Sequence, residues 1–266
     1  MYDRYNRKIN YLRVSVTDRC NLRCRYCMPP EGIKLLNHND ILSFDEITDF
    51  VVTAVDMGID KVRLTGGEPL VRKDLPVLVA MLAGIKGIKD FSMTTNGTLL
   101  GKFAKSIADA GLQRVNVSLD TMDPFKYSWL TRGGDLNQTL EGIKAAIEAG
   151  LTPVKLNCVV KDSKYDTEAK MVASFAEKES LEVRFIKQMN LERGEFGVVE
   201  GGEGGHCISC NRLRLTANGK VKPCLFSDIE YDVRELGPEQ AIKMAVTNKP
   251  VCGTVNHNGQ FYNIGG

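Results

Sequence analysis

Six of the chain's eight cysteines fall into two groups of three, Cys20-x3-Cys24-x2-Cys27 toward one end and Cys207-x2-Cys210-x13-Cys224 toward the other. Thiolates at such short spacing are ligands for soft metals, and three of them are one short of the four that an iron–sulfur cluster normally takes. Each group could therefore hold a cluster that leaves one iron open to a small molecule. Zinc competes for the first group, but a structural zinc needs a fourth donor, and only His38 is near in the chain. The pattern is that of two reactive sites.

The elements that must position these thiols are legible between residue 11 and about residue 190. Short β-type runs alternate there with longer amphipathic ones, which predicts strands over 11–17, 61–65, 90–94, 114–120, 153–160 and 182–187. Helices are expected over 44–57 and 136–149, the second stopped by Gly150 at a C-cap. Six such units predict an α/β fold, a partial (β/α)6 barrel with a small C-terminal cluster-binding extension. The expected division is 1–189 for the barrel, 190–206 for a short glycine-rich, flexible linker, and 207–266 for the extension. The first cysteine group follows the first strand directly, at the C-terminal strand ends where such folds keep their chemistry.

The strand faces are unusual. Arg13, Ser15 and Thr17 alternate with Leu12, Val14 and Val16, and Lys61 and Arg63 alternate with Val62 and Leu64. Lys155 and Arg184 alternate likewise on the fifth and sixth strands. Parallel strands covered on both faces usually read as unbroken apolar runs, so the polar face here must line the lumen. Five cations, Arg13, Lys61, Arg63, Lys155 and Arg184, then converge in a confined space and call for a polyanion such as a polyphosphate. The alternative is pairing with lumen carboxylates such as Asp120, or exposure at the strand ends.

Bulk composition is that of an ordinary soluble chain: 266 residues, 43% hydrophobic, 26% charged, formal net charge +2. That balance argues against a nucleic-acid surface. No apolar run is long enough to cross a membrane, and residues 1–8 lack a signal peptide's hydrophobic core, so a cytoplasmic location is expected. In that compartment close cysteines serve metals or redox chemistry rather than disulfides.

Cys20-x3-Cys24-x2-Cys27 after a strand, Gly66-Gly67-Glu68-Pro69 after the second, Thr94-Thr95-Asn96-Gly97 after the third and Ser118-Leu119-Asp120 on the fourth together resemble the radical S-adenosylmethionine (SAM) enzymes. More narrowly, the chain resembles the GTP 3′,8-cyclases that begin molybdenum-cofactor synthesis. This rests on 12–21, 61–70, Arg184-Phe185-Ile186, the second cysteine group followed by Arg212 and Arg214, Cys224-Leu225-Phe226, and the terminal Gly265-Gly266.

The resemblance implies two [4Fe–4S] clusters, on Cys20, Cys24 and Cys27 and on Cys207, Cys210 and Cys224. It implies SAM contacts from Tyr26, Gly66, Gly67, Glu68, Thr94, Asn96, Ser118 and Met189, and GTP contacts from Arg13, Lys61, Arg63, Lys155, Arg184, Arg212 and Arg214. Arg212, Arg214, Gly265 and Gly266 take catalytic roles in that picture, the diglycine as a tail that enters the site. Implied partners are a flavodoxin- or ferredoxin-type electron donor and a downstream pterin-forming synthase, with the chain a monomer or homodimer. A radical SAM enzyme acting on another nucleotide or on a peptide, and a non-catalytic zinc-stabilised module, are the competing readings. Members of this family carry a longer segment where 190–206 stands. Cys158 falls on an apolar strand face, which predicts core packing, and Cys252 matches no ligand position.

Overall fold

The computed structural model describes residues 1–258 and 261–264. Its elements run β1 (Tyr11–Ser15), α1 (Phe44–Asp56), β2 (Lys61–Thr65), α2 (Leu75–Ala83), β3 (Asp90–Thr95), α3 (Leu100–Asp109) and β4 (Arg114–Ser118). They continue with α4 (Pro124–Thr131), α5 (Leu136–Glu148), β5 (Lys155–Val160), α6 (Thr167–Lys178) and β6 (Glu182–Lys187). The C-terminal part adds β7 (Arg212–Leu215), β8 (Lys220–Lys222), β9 (Tyr231–Asp232), α7 (Val233–Leu236), α8 (Pro238–Thr247) and α9 (Phe261–Ile264).

One sheet holds all the described strands in the order β6-β5-β4-β3-β2-β1-β7-β8-β9. The six expected strands are present and parallel, each pairing with its neighbour in sequence. The sheet stays open, as a partial barrel. Apolar side chains of one parity, Leu12, Val14, Val62, Leu64, Val115, Val117 and Leu156, are fully buried beneath the helices, and Cys158 joins them as expected. Ser43 begins α1 with a capping box closed by Glu46, and the helix buries Ile47, Phe50, Val51 and Ala54 on the sheet.

Two features depart from expectation. First, the C-terminal extension continues the sheet: β7 pairs in parallel with β1, setting Arg212 opposite Tyr11 and Arg214 opposite Arg13. Second, the flexible linker expected over 190–206 is corrected to a folded wall. Asn190 and Glu195 exchange backbone hydrogen bonds of 2.9 Å, as do Phe185 and Glu200 at 3.0 and 3.1 Å. Leu191 is buried with Leu225, Phe226 and Ile264, and the Phe196 ring lies 4.5 Å from that of Phe226, tilted by 31°. Glycine makes these turns possible: Gly201 and Gly205 have φ of 76° and 83°, and a Cβ on either would strike a carbonyl oxygen, that of Val183 or of Gly197.

Candidate active site

The loop after β1 carries Cys20, Cys24 and Cys27 and is laced to α4. Arg23 and Arg25 donate their N–H groups to the Thr131 and Leu130 carbonyls at 3.2 and 2.9 Å, and Arg132 Nη1 donates to the carbonyls of Arg23 and Met28. The three thiols open on one cavity of about 190 Å³. Tyr26, Gly66, Gly67 and Glu68 line it, as do Thr94, Asn96, Ser118 and Met189, so the structure brings together every residue that the sequence reading gave to SAM. Sequence reasoning missed Phe261 and Tyr262, which close this cavity from the C-terminal side. Gly265 and Gly266 lie outside the described residues.

The donor set fits an iron–sulfur cluster. Burial pushes the Cys20 thiol up to about 11 and Cys24 to about 12, and raises Cys27 well above its usual value, with the neighbouring thiols next in effect for Cys27. Buried thiols of this kind ionise when a metal ion displaces their protons. Thr94, on the wall of this cavity, has a buried Oγ1 with no hydrogen-bond partner, a group free to serve a bound molecule.

The Gly66-Gly67-Glu68 turn sets the position of Cys20. Gly67 N and Glu68 N donate to the carbonyls of Thr17 and Arg19 at 2.8 Å, and a Cβ on Gly67 would lie 2.3 Å from the Arg19 oxygen. Backbone on both sides leaves no room to give. Gly67→Ala is therefore expected to lower the melting temperature and to lose both the first site's iron and SAM binding, checked by thermal unfolding, iron assay and calorimetry; retained SAM affinity would refute this packing argument.

Glu68 ties the turn to β3. Its buried carboxylate accepts from Leu70 N at 3.1 Å, Thr95 Oγ1 at 2.7 Å and Asn96 N at 2.7 Å, yet burial outweighs these donors and raises its pKa to about 7 from 4.5. Asp120, which accepts from Tyr26 Oη and Val159 N at 2.8 Å, is raised by burial to about 6 from 3.8. A folded pKa above the unfolded one means the folded chain binds more protons between the two values, so stability falls as pH rises through that window. The metal-free protein should lose melting temperature between about pH 4.5 and 7 and then level off, and Glu68→Gln should flatten that slope. An unchanged slope in the variant would show that Glu68 is not the titrating group.

Arg13, Lys61, Arg63, Lys155, Arg184 and Arg212 line a second cavity at the other end of the strands, as the alternation predicted. Register explains the crowding: Arg13 faces Arg63 across β1 and β2, and Arg214 across β1 and β7. Burial, then Arg214, pushes the Arg13 pKa well down; burial and Arg212 bring Arg214 to about 10. A guanidinium does not shed its proton in a protein, so these shifts express the cost of confining like charges. Carboxylates offset only part of it: Asp90 pairs with Arg114 at 2.7 Å, and Glu182 pairs with Lys155. Asp120 takes no part, being engaged by Tyr26, so the expected alternative of a lumen pair through Asp120 does not hold. Arg184 Nε and Tyr11 Oη are buried without hydrogen-bond partners. Arg114 is a cation that sequence reasoning passed over although it shares the parity of Asn116 and Ser118.

Cys207, Cys210 and Cys224 line a third cavity with Arg13, Arg212 and Arg214. Cys224 follows β8, so the β7–β8 hairpin carries it back toward Cys210. Lys249, buried and invisible to sequence reasoning, joins the two ligand segments: its Nζ donates to the carbonyls of Arg212 at 2.7 Å and Pro223 at 2.5 Å. It also hydrogen-bonds the Cys210 thiol. Burial raises that thiol's pKa, but Lys249, the Arg212 N–H and the Arg212 guanidinium bring it below the usual value. Asn157 and Ile186 line all three cavities, which therefore meet as one chamber. Among the described residues no three His, Cys, Asp or Glu side chains lie close enough together to hold a single metal ion.

A thiol trio at the strand ends of an open parallel barrel, with a glycine turn against it, defines a class: the chain belongs to the radical SAM superfamily, whose family model matches residues 14–176. A second model, Molybdenum Cofactor Synthesis C, matches residues 158–250. The chain is 40% identical to the GTP 3′,8-cyclase of Alkaliphilus oremlandii, covering 94% of this chain and 93% of that one. It is 43% identical to the GTP 3′,8-cyclase of Thermodesulfovibrio yellowstonii, over 89% and 88% of the two chains. Those alignments run over 298 and 282 residues, longer than this chain, so these relatives carry segments that it lacks. Among solved structures, native anSMEcpe with bound AdoMet superposes with a TM-score of 0.66 at 16% identity, over 90% of this chain and 81% of that one. Streptococcus suis SuiB bound to S-adenosylmethionine gives 0.62 at 16% identity, over 92% and 65%. These two likenesses establish the fold. No helix among the described residues is long and apolar enough to cross a membrane.

Proposed function

We propose that the chain is a GTP 3′,8-cyclase, converting GTP to 3′,8-cyclo-7,8-dihydro-GTP in the first step of molybdenum-cofactor synthesis. One observation carries this reading beyond the kinship: a chamber lined by two separate thiol trios is floored by seven cations, Arg114 included, which suits a triphosphate and leaves a peptide with no charge to offer. Cys20, Cys24 and Cys27 would hold the first [4Fe–4S] cluster, and Cys207, Cys210 and Cys224 the second. When bound, the first would supply the electron for reductive cleavage of SAM, the radical chemistry that a 3′,8-cyclisation of GTP requires.

The chain's own residues do the positioning. Arg13, Lys61, Arg63, Lys155 and Arg184 grip the triphosphate end, with Arg212 and Arg214 above them. Gly66, Gly67, Thr94, Asn96, Ser118 and Met189 hold SAM, its methionine end against the glycine turn. Asn157, Ile186 and Met189 lie where the two ligands meet, and the wall at 196–205 keeps water from that junction, where a primary radical must find only its target. Tyr26, fixed by Asp120, stiffens the first cysteine loop. The barrel at 1–189, the wall at 190–206 and the extension at 207–266 act as one site. An external electron carrier of the flavodoxin or ferredoxin type and a pterin-forming synthase complete the sequence of steps.

Anaerobically reconstituted protein incubated with SAM, reductant and each of several nucleoside triphosphates tests the assignment. The expected result is 5′-deoxyadenosine together with a cyclised nucleotide from GTP alone. SAM cleavage that is indifferent to nucleotide, with no cyclised product, would overturn the cyclase reading.

A further inference from the structure

The C-terminal thiols make one contact that this chemistry does not use. Cys252 Sγ lies 3.0 Å from Cys207 Sγ, with Cys252 exposed and Cys207 partly buried. The approach is built into the backbone. Arg7, ion-paired to buried Asp3 at 2.6 Å, donates from Nη1 to the carbonyls of Cys207 at 2.8 Å and Val251 at 3.0 Å, and from Nη2 to that of Pro250 at 2.7 Å. A single guanidinium thus pins the Cys207 loop to the segment just before Cys252.

The other two thiols of the trio are engaged elsewhere. Cys210 sits against Lys249, and Cys224 against Gly253, where a Cβ would come within 3.0 Å of its sulfur. Cys252 does not line the cavity shared by the trio; Gly253 does. It therefore meets Cys207 from the solvent side, away from the substrate chamber. Thiolates on a cubane belong to separate irons and diverge, so two sulfurs in contact are not neighbouring corners of one cluster.

We propose that Cys207 and Cys252 form a disulfide site, oxidised by low-molecular-weight disulfides when the second cluster is absent, which withdraws one ligand and so gates cluster assembly. The inference rests on the second-cluster reading above. The exchange balances as follows. Exposed Cys252 loses its proton to water and attacks R–S–S–R, whose bond breaks to release RS⁻. Cys207 then gives up its proton to the released RS⁻ and attacks the Cys252 sulfur of the mixed disulfide, releasing the second RS⁻, which takes up the proton that Cys252 lost to water. Two protein thiols are oxidised and one small disulfide is reduced to two thiols.

The test uses the full chain, freed of iron, reduced, and incubated anaerobically with oxidised glutathione before alkylation and peptide mapping by mass spectrometry, beside Cys252→Ser. The expected result is a Cys207–Cys252 linked peptide as the dominant crosslink. The oxidised protein should then reconstitute about four fewer irons than the reduced one, recovered on adding dithiothreitol. Reduced Cys252→Ser should reconstitute fully, which separates this role from ligation. A dominant Cys207–Cys210 or Cys210–Cys224 bond, Cys252 alkylated throughout, or iron lost from reduced Cys252→Ser would overturn the proposal. Reduced wild-type protein that holds only about four irons sinks the second-cluster reading and the gating with it, while the linked peptide still decides the pair.

Discussion

Cys24→Ala and Cys224→Ala are expected to fail at different stages. Cys24 lies in the cavity bounded by Tyr26, Asn96 and the glycine turn, whereas Cys224 lies in the one bounded by Arg214, Phe226 and Gly253. On the proposed assignment, losing Cys24 removes a ligand from the site that generates the radical, so 5′-deoxyadenosine should fall to background while GTP still binds. Losing Cys224 leaves that site intact and disturbs the pocket facing the nucleotide. SAM should then be cleaved without a cyclised product, because the target carbon is no longer held at contact distance. Chromatography of both products, with iron counts on each variant, separates the two. A Cys224→Ala protein that still cyclises GTP would remove the second trio from the mechanism.

Arg184→Met should move stability and binding in opposite directions. In the ligand-free chain Arg184 is a partly buried cation whose Nε finds no partner, and its pKa is lowered first by burial and then by Arg114. A flexible apolar chain of similar length relieves both the orphan donor and the repulsion, worth about 1 kcal/mol or a rise of roughly 2–4 °C in melting temperature. On the proposed assignment the same change deletes a charge-assisted contact to a phosphate, which should weaken GTP binding about tenfold or more. Differential scanning fluorimetry and titration calorimetry read the two effects. A variant that melts lower and binds GTP as well as the parent would show that this face is structural and not a phosphate site.

Local pattern carried much of this to the reader of the sequence. Lys61–Thr65 and Glu182–Lys187 are strands within the expected limits because period-two alternation is a property of consecutive residues. The lumen cations were legible for the same reason, since parity within a strand determines the face on which a side chain lies. Lys249 was not legible: it sits just past the C-cap of α8 and reaches two carbonyls far away in the chain, an arrangement that only the folded hairpin creates. The wall at 190–206 was misjudged because glycine-rich composition reads as slack, whereas Gly201 and Gly205 use their freedom to make turns against fixed neighbours. Asp120 was placed on the right face, but nothing local announces that Tyr26 claims it.

The pairing of β7 with β1 bears on how the molecule is made. The partner of residues 11–15 on one side, residues 212–215, lies about two hundred residues further along the chain and is synthesised that much later. During translation β1 can join β2 and build the barrel up to β6, yet its other flank stays an open ladder of amide and carbonyl groups until β7 emerges. The first thiol loop can thus be in place while the floor of cations still lies open along one side. Long sequence separation makes that last closure slow relative to the rest. Yield in a host will accordingly follow the fate of that waiting edge, through chaperone supply and the pace of elongation, more closely than it follows the stability of the finished core.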